Sequence, residues 1–264
     1  MINLPHRPIY TFITFTTFTH HPVIQNKVYL IPCFIDETAI HTIPAYIVDS
    51  IKSCQVFFVE NERSARRYLK QIWKVYLPGQ EIVIDNYEWF TIHKAEGDVQ
   101  SAFRQRLKDG KTIGIISEAG CPGVADPGQL LVSVAQEMNV AVKPLVGPSS
   151  ILLALMASGM NGQQFQFVGY LPIDNQQRIK AIKDLEAESK KKNCTQIFIE
   201  TPYRNNQLTE TLLKNCNAST SLCIAADITG EKEWIKTKTI AEWRKEKVDI
   251  HKRPTIFLLH ANER

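Results

Sequence analysis

Apolar residues along this chain gather in short runs separated by longer amphipathic stretches. That is the pattern of buried strands alternating with covering helices. Residues 28–32 read as the first core strand, and 40–53 as a helix with Ile43, Ile47 and Ile51 on one face. Residues 55–59 read as a second strand ending at Glu60, and 62–74 as a helix rich in basic residues. The short apolar runs 82–84 and 91–94 have no clear period. Residues 97–108 suit a helix stopped by Gly110. A strand over 112–116, a helix over 130–136 and a strand over 140–143 complete the first half.

Ser149 suits the N-cap of a helix over 151–158 that ends at Gly159. Strands are then expected over 165–171, 196–200, 221–227, 234–239 and 254–259, the fourth at a sheet edge. Helices are expected over 176–192 and 203–214, with a further one through Trp243 and Lys245. Strand–helix alternation in the first half argues for a parallel sheet covered on both faces. Gly147-Pro148 reads as a hinge. The expected division is an N-terminal extension over 1–26, an α/β domain over 27–147 and a second α/β domain over 148–264. Threonine alternates with Phe or Ile over 10–19, which suits an extra strand or a start codon placed too early, rather than a leader peptide.

The chemistry-bearing stretch is 117–128, Ser-Glu-Ala-Gly-Cys-Pro-Gly-Val-Ala-Asp-Pro-Gly. It lies between an expected strand and an expected helix. Glycines let backbone approach a ligand and prolines set the loop's path, so the stretch suits a small-molecule site. It also suits a plain tight turn with no ligand. Asp126 fits a helix N-cap with Pro127 at the first helical position. Arg63, Arg66, Arg67, Lys70 and Lys74 make the helix after Glu60 basic, as a solvated face or as a phosphate-binding one. His93 has no neighbours in sequence that complete a site.

Charge and composition change this picture little. The net charge of +4 permits a phosphate-rich partner without requiring one, and no stretch has the run of apolar residues needed to span a membrane. The six cysteines form no Cys-x-x-Cys pair, so a reducing cytoplasm is expected and a disulfide or metal framework is not. No Ser-His-Asp, P-loop, metal-ligand or Gly-x-Gly-x-x-Gly pattern is present.

The stretch at 117–128 resembles the signature loop of the tetrapyrrole (corrin/porphyrin) methylase superfamily. Its Ala-Gly-x-Pro-Gly-x-x-Asp-Pro-Gly form is most similar to the branch of RsmI-type ribosomal RNA ribose 2'-O-methyltransferases. Further similar segments follow that branch's order: Val59 to Arg63, Pro144 to Ser150, Phe165 to Pro172 and Phe198 to Arg204. The chain departs from the pattern after the first strand, where Cys33-Phe34-Ile35-Asp36-Glu37 replaces a glycine-containing turn.

The resemblance implies two α/β domains, the first with a mostly parallel sheet and the second with a mixed one, and a cleft for S-adenosylmethionine (SAM) between them. By resemblance the cofactor would be lined by Pro32, Glu118, Ala119, Gly120, Pro122, Val124, Asp126, Pro127, Ser149, Ser150, Thr201, Tyr203, Pro254 and Thr255. Glu60 is the candidate for orienting or deprotonating the acceptor hydroxyl. Asn61, Arg63 and Arg66 are the candidate substrate contacts. The implied partners are ribosomal RNA or the small ribosomal subunit and a second copy of the chain. A tetrapyrrole C-methyltransferase and a non-catalytic SAM-binding module are the alternative functions.

Overall fold

The computed structural model describes residues 26–92, 96–126 and 128–261. The expectations for residues 1–25, His93 and Pro127 lie outside the described residues. In the first half, β1 (Lys27–Ile31), β2 (Val56–Val59), β3 (Glu88–Thr91), β4 (Ile113–Ile116) and β5 (Ala141–Pro144) form one sheet in the order β3-β2-β4-β1-β5. Every pairing in it is parallel. A parallel sheet needs cover on both faces, and strand alternation supplies two apolar surfaces.

Phe57 and Val59 face α1 (Ile47–Ser53) and α2 (Glu62–Tyr76), packing with Ile51, Leu69 and Ile72. Val56 and Phe58 face α3 (Glu96–Lys108) and α4 (Gly128–Glu137), packing with Phe103, Leu107 and Leu131. Each fully buried side chain of this size contributes ~1.5–3 kcal/mol relative to exposure. Gly114 in β4 has no room for a larger residue: a Cβ there would stand 2.6 Å from Phe57 Cε1 and 2.8 Å from Ile31 Cδ1.

The continuous helix expected over 40–53 is not formed. Residues Ile40–Thr42 make a single 3-10 turn, and α1 starts only at Ile47. Pro44 is the cause: a residue before proline is driven out of the helical region, and Ile43 is extended at φ −93° and ψ 120°. The burial pattern survives the break, since Ile43, Ile47 and Ile51 are all in the core. Strand β3, at the sheet edge, starts after the first short apolar run and takes in only the first residue, Thr91, of the second. Its Trp89 and Phe90 stack on Phe57 and Phe58 of β2 with ring centroids 5.0 and 4.8 Å apart.

The second half holds α5 (Ser150–Ser158), β6 (Phe165–Tyr170), α6 (Asn175–Lys192), β7 (Thr195–Ile199), α7 (Asn205–Asn215), β8 (Ser221–Ala226), β9 (Trp234–Thr239), α8 (Ile240–Trp243) and β10 (Thr255–His260). Its sheet runs β6-β7-β10-β8-β9. The β6–β7 pair is parallel and the other pairs are antiparallel. The chain is therefore α/β with a parallel first sheet and a mixed second sheet.

Phe198, Ile224 and Phe257 pack under α6, α7 and α8, where Trp243 is fully buried and donates its indole N–H to the Leu222 carbonyl at 2.8 Å. The opposite face, with Cys223, Ala225, Ile256 and Leu258, is covered by α5 through Ala154 and Leu155. Ile35, from the loop after β1, joins this second-half cluster. Among the described residues no helix is long and apolar enough to cross a membrane.

Candidate functional site

In an open α/β sheet, ligands collect outside the carboxyl ends of the strands. Strands β2 and β4 lead directly into Glu60 and Ser117, and both residues line a cavity of about 260 Å³. The opposite wall comes from the second half: Ser149, Ser150 and Ile151 at the start of α5, Phe167 of β6, Ile199 of β7 and Ile256 of β10. Ile199 and Ile256 are register partners, so their side chains leave the sheet on the same side. The cavity is thus a joint between the two sheets.

The floor is the loop from Ser117 to Asp126, and it is anchored on every side. Gly120 exchanges two backbone hydrogen bonds with Cys33, at 2.8 and 3.1 Å, which fixes the loop to the end of β1. Gly120 has φ +71°, a conformation that favours glycine. The Cys121 thiol donates to the Pro148 carbonyl at 3.4 Å. The Glu118 N–H donates to Glu60 Oε2 at 2.7 Å, and the Ser64 hydroxyl donates to Glu118 Oε1 at 3.3 Å. Asp126 closes the loop, its Oδ1 accepting from the N–H groups of Gly123 and Gly128, each at 2.8 Å. The bond from Gly128 ties Asp126 to the first residue of α4.

Behind the loop, Pro32 packs on Gly147. A Cβ on Gly147 would lie 2.1 Å from Pro32 Cβ. The Pro32 carbonyl accepts the buried Tyr68 hydroxyl. Pro32 therefore sets the spacing between the end of β1 and the segment leading to α5, without itself lining the cavity.

The site's electrostatics are acidic. Burial pushes the Glu60 carboxyl above its ordinary value; the Glu118 N–H partly offsets this, and the charges of Asp126 and Glu118 add to it. Burial likewise raises Asp126, against the two loop N–H groups. Among the described residues, the buried Asp126 Oδ2 has no hydrogen-bond partner. The Cys121 thiol is raised by burial and by Asp126, which keeps it protonated. At the other wall, Ser149 holds the N-cap position of α5, yet its hydroxyl makes no capping bond. The first-turn N–H groups of a helix have no partners within the helix, and they suit an anionic group. A ligand with a cationic centre, a carboxylate and a flat apolar part fits this set of partners. The apolar part would rest on Ile151, Phe167, Ile199 and Ile256.

Of the residues singled out from sequence, Glu60, Glu118, Ala119, Gly120, Val124, Asp126, Ser149 and Ser150 come together on the cavity wall. Pro122 is buried within the loop. Thr201 caps a 3-10 turn over Pro202–Arg204, and Tyr203 points outward, 69% exposed. The Pro254 carbonyl accepts the Asp227 N–H at 2.9 Å. The Thr255 hydroxyl donates to the Arg253 carbonyl at 2.9 Å, and it is the next residue, Ile256, that reaches the cavity. Strand alternation would have selected Ile199, Ile256 and Phe167, since each faces away from the helices α6 and α7.

Asn61 is the N-cap of α2, its Oδ1 accepting from the N–H groups of Arg63 and Ser64 at 3.0 and 3.2 Å. Arg63 and Arg66 line a separate shallow groove on α2 with Glu62, Arg67 and Lys70. Arg66 is engaged there by Glu62 at 2.8 Å and Asp85 at 3.0 Å, and lies over the Trp89 ring.

Residues 43–243 match the family model described as Tetrapyrrole (Corrin/Porphyrin) Methylases. The chain is 39% identical over 118 residues to ribosomal RNA small subunit methyltransferase I of Halalkalibacterium halodurans, covering 44% of this chain and 39% of that protein. It is 31% identical over 214 residues to the protein of the same name in Bacillus subtilis, covering 81% and 63%. The chain spans about half the length of the curated relatives it matches. Among solved structures it is similar to the methyltransferase CobJ, with a TM-score of 0.59, 14% identity and coverage of 89% of this chain and 94% of that one. It is also similar to a uroporphyrin-III C-methyl transferase from Thermus thermophilus complexed with S-adenyl homocysteine, with a TM-score of 0.53, 15% identity and coverage of 89% and 97%. At these identities the likeness is one of fold.

Proposed function

From the premise that the chain belongs to the tetrapyrrole (corrin/porphyrin) methylase family, we propose that it is a SAM-dependent methyltransferase that modifies a ribose 2'-hydroxyl of small-subunit ribosomal RNA. The observation that carries this reading is the cavity shared by the two sheets, with the anchored loop Ser117–Asp126 on one wall and the start of α5 on the other. SAM, when bound, supplies a methyl group activated on a sulfonium.

The chain's own part is to hold and orient. The backbone at Gly120 and the carboxylate of Asp126 form the floor. The first turn of α5 takes the carboxylate of the methionine moiety, and the isoleucines of β7 and β10 meet the adenine. The acidic lining favours a cationic centre over a neutral one. Orientation of this kind accounts for much of the acceleration of an in-line transfer.

A ribose hydroxyl must lose its proton as its oxygen gains the methyl. We take Glu60 as the group that accepts that proton; its position just after β2, on the cavity wall, supports this. Its Oε2 is committed to the Glu118 N–H, which leaves Oε1 for the proton. The basic groove on α2, through Arg63 and Lys70, takes phosphates of the RNA. Ribosomal RNA is favoured over a tetrapyrrole because that groove is cationic and because the curated relatives carry ribosomal RNA methyltransferase names.

We assign the pairing of two copies to the outward side of α5, where Leu152 and Met156, one turn apart, are 51% and 79% exposed. The setting is the cytoplasm, where SAM and ribosomes meet.

Small ribosomal subunits from cells lacking the gene, incubated with the protein and methyl-labelled SAM, should acquire label in their RNA. The label should sit in alkali-resistant dinucleotides, because a methylated 2'-oxygen cannot attack the neighbouring phosphate. Label confined to a tetrapyrrole, or absent from both acceptors, defeats the reading.

A further inference from the structure

Beyond Ile199 and Ile256 the chain builds an aromatic feature that does not line the cavity. Tyr203 presents its ring to solvent. The Lys252 ammonium lies 5.6 Å from the ring centroid, and the His251 ring meets it edge-on with centroids 6.0 Å apart. With the cation over one face of the ring and the imidazole at a steep angle to it, the remaining exposed face of Tyr203 is left for a base to stack on, and the ammonium for its phosphate.

Both loops that carry this group are held rigidly. In the Tyr203 turn, the fully buried Glu200 carboxylate accepts the Thr201 N–H at 2.6 Å and the Arg204 guanidinium at 2.7 and 3.1 Å. The neighbouring loop is tied to the same turn: the Lys252 N–H donates to the Pro202 carbonyl at 3.0 Å. Asn206, one residue into α7, accepts the Ile250 N–H and donates to Asp249, each at 2.9 Å. Arg253 donates to Asp227 at 2.6 Å. Lys252 itself is left-handed at φ +62°, which a lysine rarely adopts. The fixed backbone thus sets where the Lys252 side chain starts, and from there its ammonium reaches over the ring.

The position relates the platform to the site. Ile199 and Ile256 are paired and line the cavity. Tyr203 and Lys252 each follow or precede them by a short segment that extends at most ~14 Å. We propose that Tyr203, with Lys252 and His251, stacks an unpaired base of the RNA substrate next to the nucleotide whose ribose enters the cavity. This rests on the ribosomal RNA reading and adds a second RNA contact on the opposite half of the chain from the α2 groove. Single-stranded RNA is recognised largely in this way, by aromatic faces that take splayed bases and cations that take the adjoining phosphates.

The test titrates a fluorescein-labelled single-stranded oligouridylate into the full chain by anisotropy, with S-adenosylhomocysteine titrated in parallel by calorimetry. Tyr203→Ala should weaken RNA binding roughly tenfold, within the range of stacking losses. Tyr203→Phe should stay near the parent, since the ring is kept. Lys252→Ala should weaken RNA binding and flatten its dependence on salt. Affinity for S-adenosylhomocysteine should be the same for all, which also shows that the variants are folded. RNA binding by Tyr203→Ala equal to the parent's would overturn the platform and leave the ribosomal RNA reading standing. Loss of S-adenosylhomocysteine binding with RNA binding intact would overturn it too, by making Tyr203 part of the cofactor wall. A parent chain that binds S-adenosylhomocysteine but not the oligouridylate would overturn the platform too, while the ribosomal RNA reading stands or falls on the labelling of small subunits.

Discussion

The Glu118 N–H donates to the Glu60 carboxylate at 2.7 Å, across the ends of two neighbouring parallel strands. One oxygen of the candidate base thereby holds the loop that floors the cavity. Glu60→Gln keeps an oxygen for that bond but cannot take a proton. Methyl transfer should fall by ~10²–10⁴-fold, the usual contribution of a general base, while S-adenosylhomocysteine affinity stays unchanged. Single-turnover transfer by the parent should rise with pH through a point above the ordinary carboxyl value of 4.5, because burial raises Glu60 and the carboxylate is the active form. A parental transfer rate in the Gln variant would eliminate the base role.

The same burial has a cost in stability. Glu60 and Asp126 are both raised in the folded chain, so the folded state holds their protons more tightly than the unfolded one. Their contribution is therefore least unfavourable below the ordinary values of 4.5 and 3.8, and it grows more unfavourable as pH rises through the raised folded values. Glu60→Gln with Asp126→Asn should then be more stable than the parent near neutral pH, and the advantage should vanish in acid. Urea titrations at both ends of this range would show it; an advantage of equal size in acid would refute the cause assigned.

Gly147 and Pro32 form a contact with no spare space. Gly147→Ala should destabilise the chain by ~1–3 kcal/mol, the usual cost of forcing an extra methyl into a filled space. It should also weaken S-adenosylhomocysteine binding, because α5 follows directly. Pro32→Gly in the same chain removes the opposing Cβ and should recover part of the loss. Additive losses in a double-mutant cycle would show that the two residues are not coupled.

The outward face of α5 gives a separate prediction. Met156→Glu should shift the chain toward monomer in sedimentation velocity while its melting temperature stays near the parent's, since Met156 packs little within its own chain. An unchanged sedimentation profile would remove that face from the proposed pairing.

Much of the fold is written in local periodicity. The β2 and β4 runs are apolar at every position, and such runs are strands buried on both sides. One element that escaped, β3, was decided by tertiary contact. β3 is a strand because β2 pairs with it and Phe57 and Phe58 accept its rings; its own four residues carry a glutamate and no alternation. The helix over 40–53 failed at one local rule, the restriction proline places on the residue before it.

The candidate site was legible where it is made of one contiguous loop, around Gly120 and Asp126. It was less so where a wall is built from single positions on distant strands. Ile256 and its neighbour Thr255 differ only in which side of β10 they face, and that parity becomes visible once β10 is known to lie between β7 and β8. The exposed Tyr203 belongs to the motif by sequence and stands outside the cavity because its turn carries it past the end of β7.

The most direct measurement is a crystal structure of the chain with S-adenosylhomocysteine. Density for the ligand should lie between the loop Ser117–Asp126 and the first turn of α5, with its carboxylate at the α5 N–H groups and its sulfur facing the side of Glu60. A ligand bound anywhere else, or a loop whose Cys121 turn faces open solvent while the chain binds the ligand in solution, would contradict the shared cavity as the methyl-transfer site.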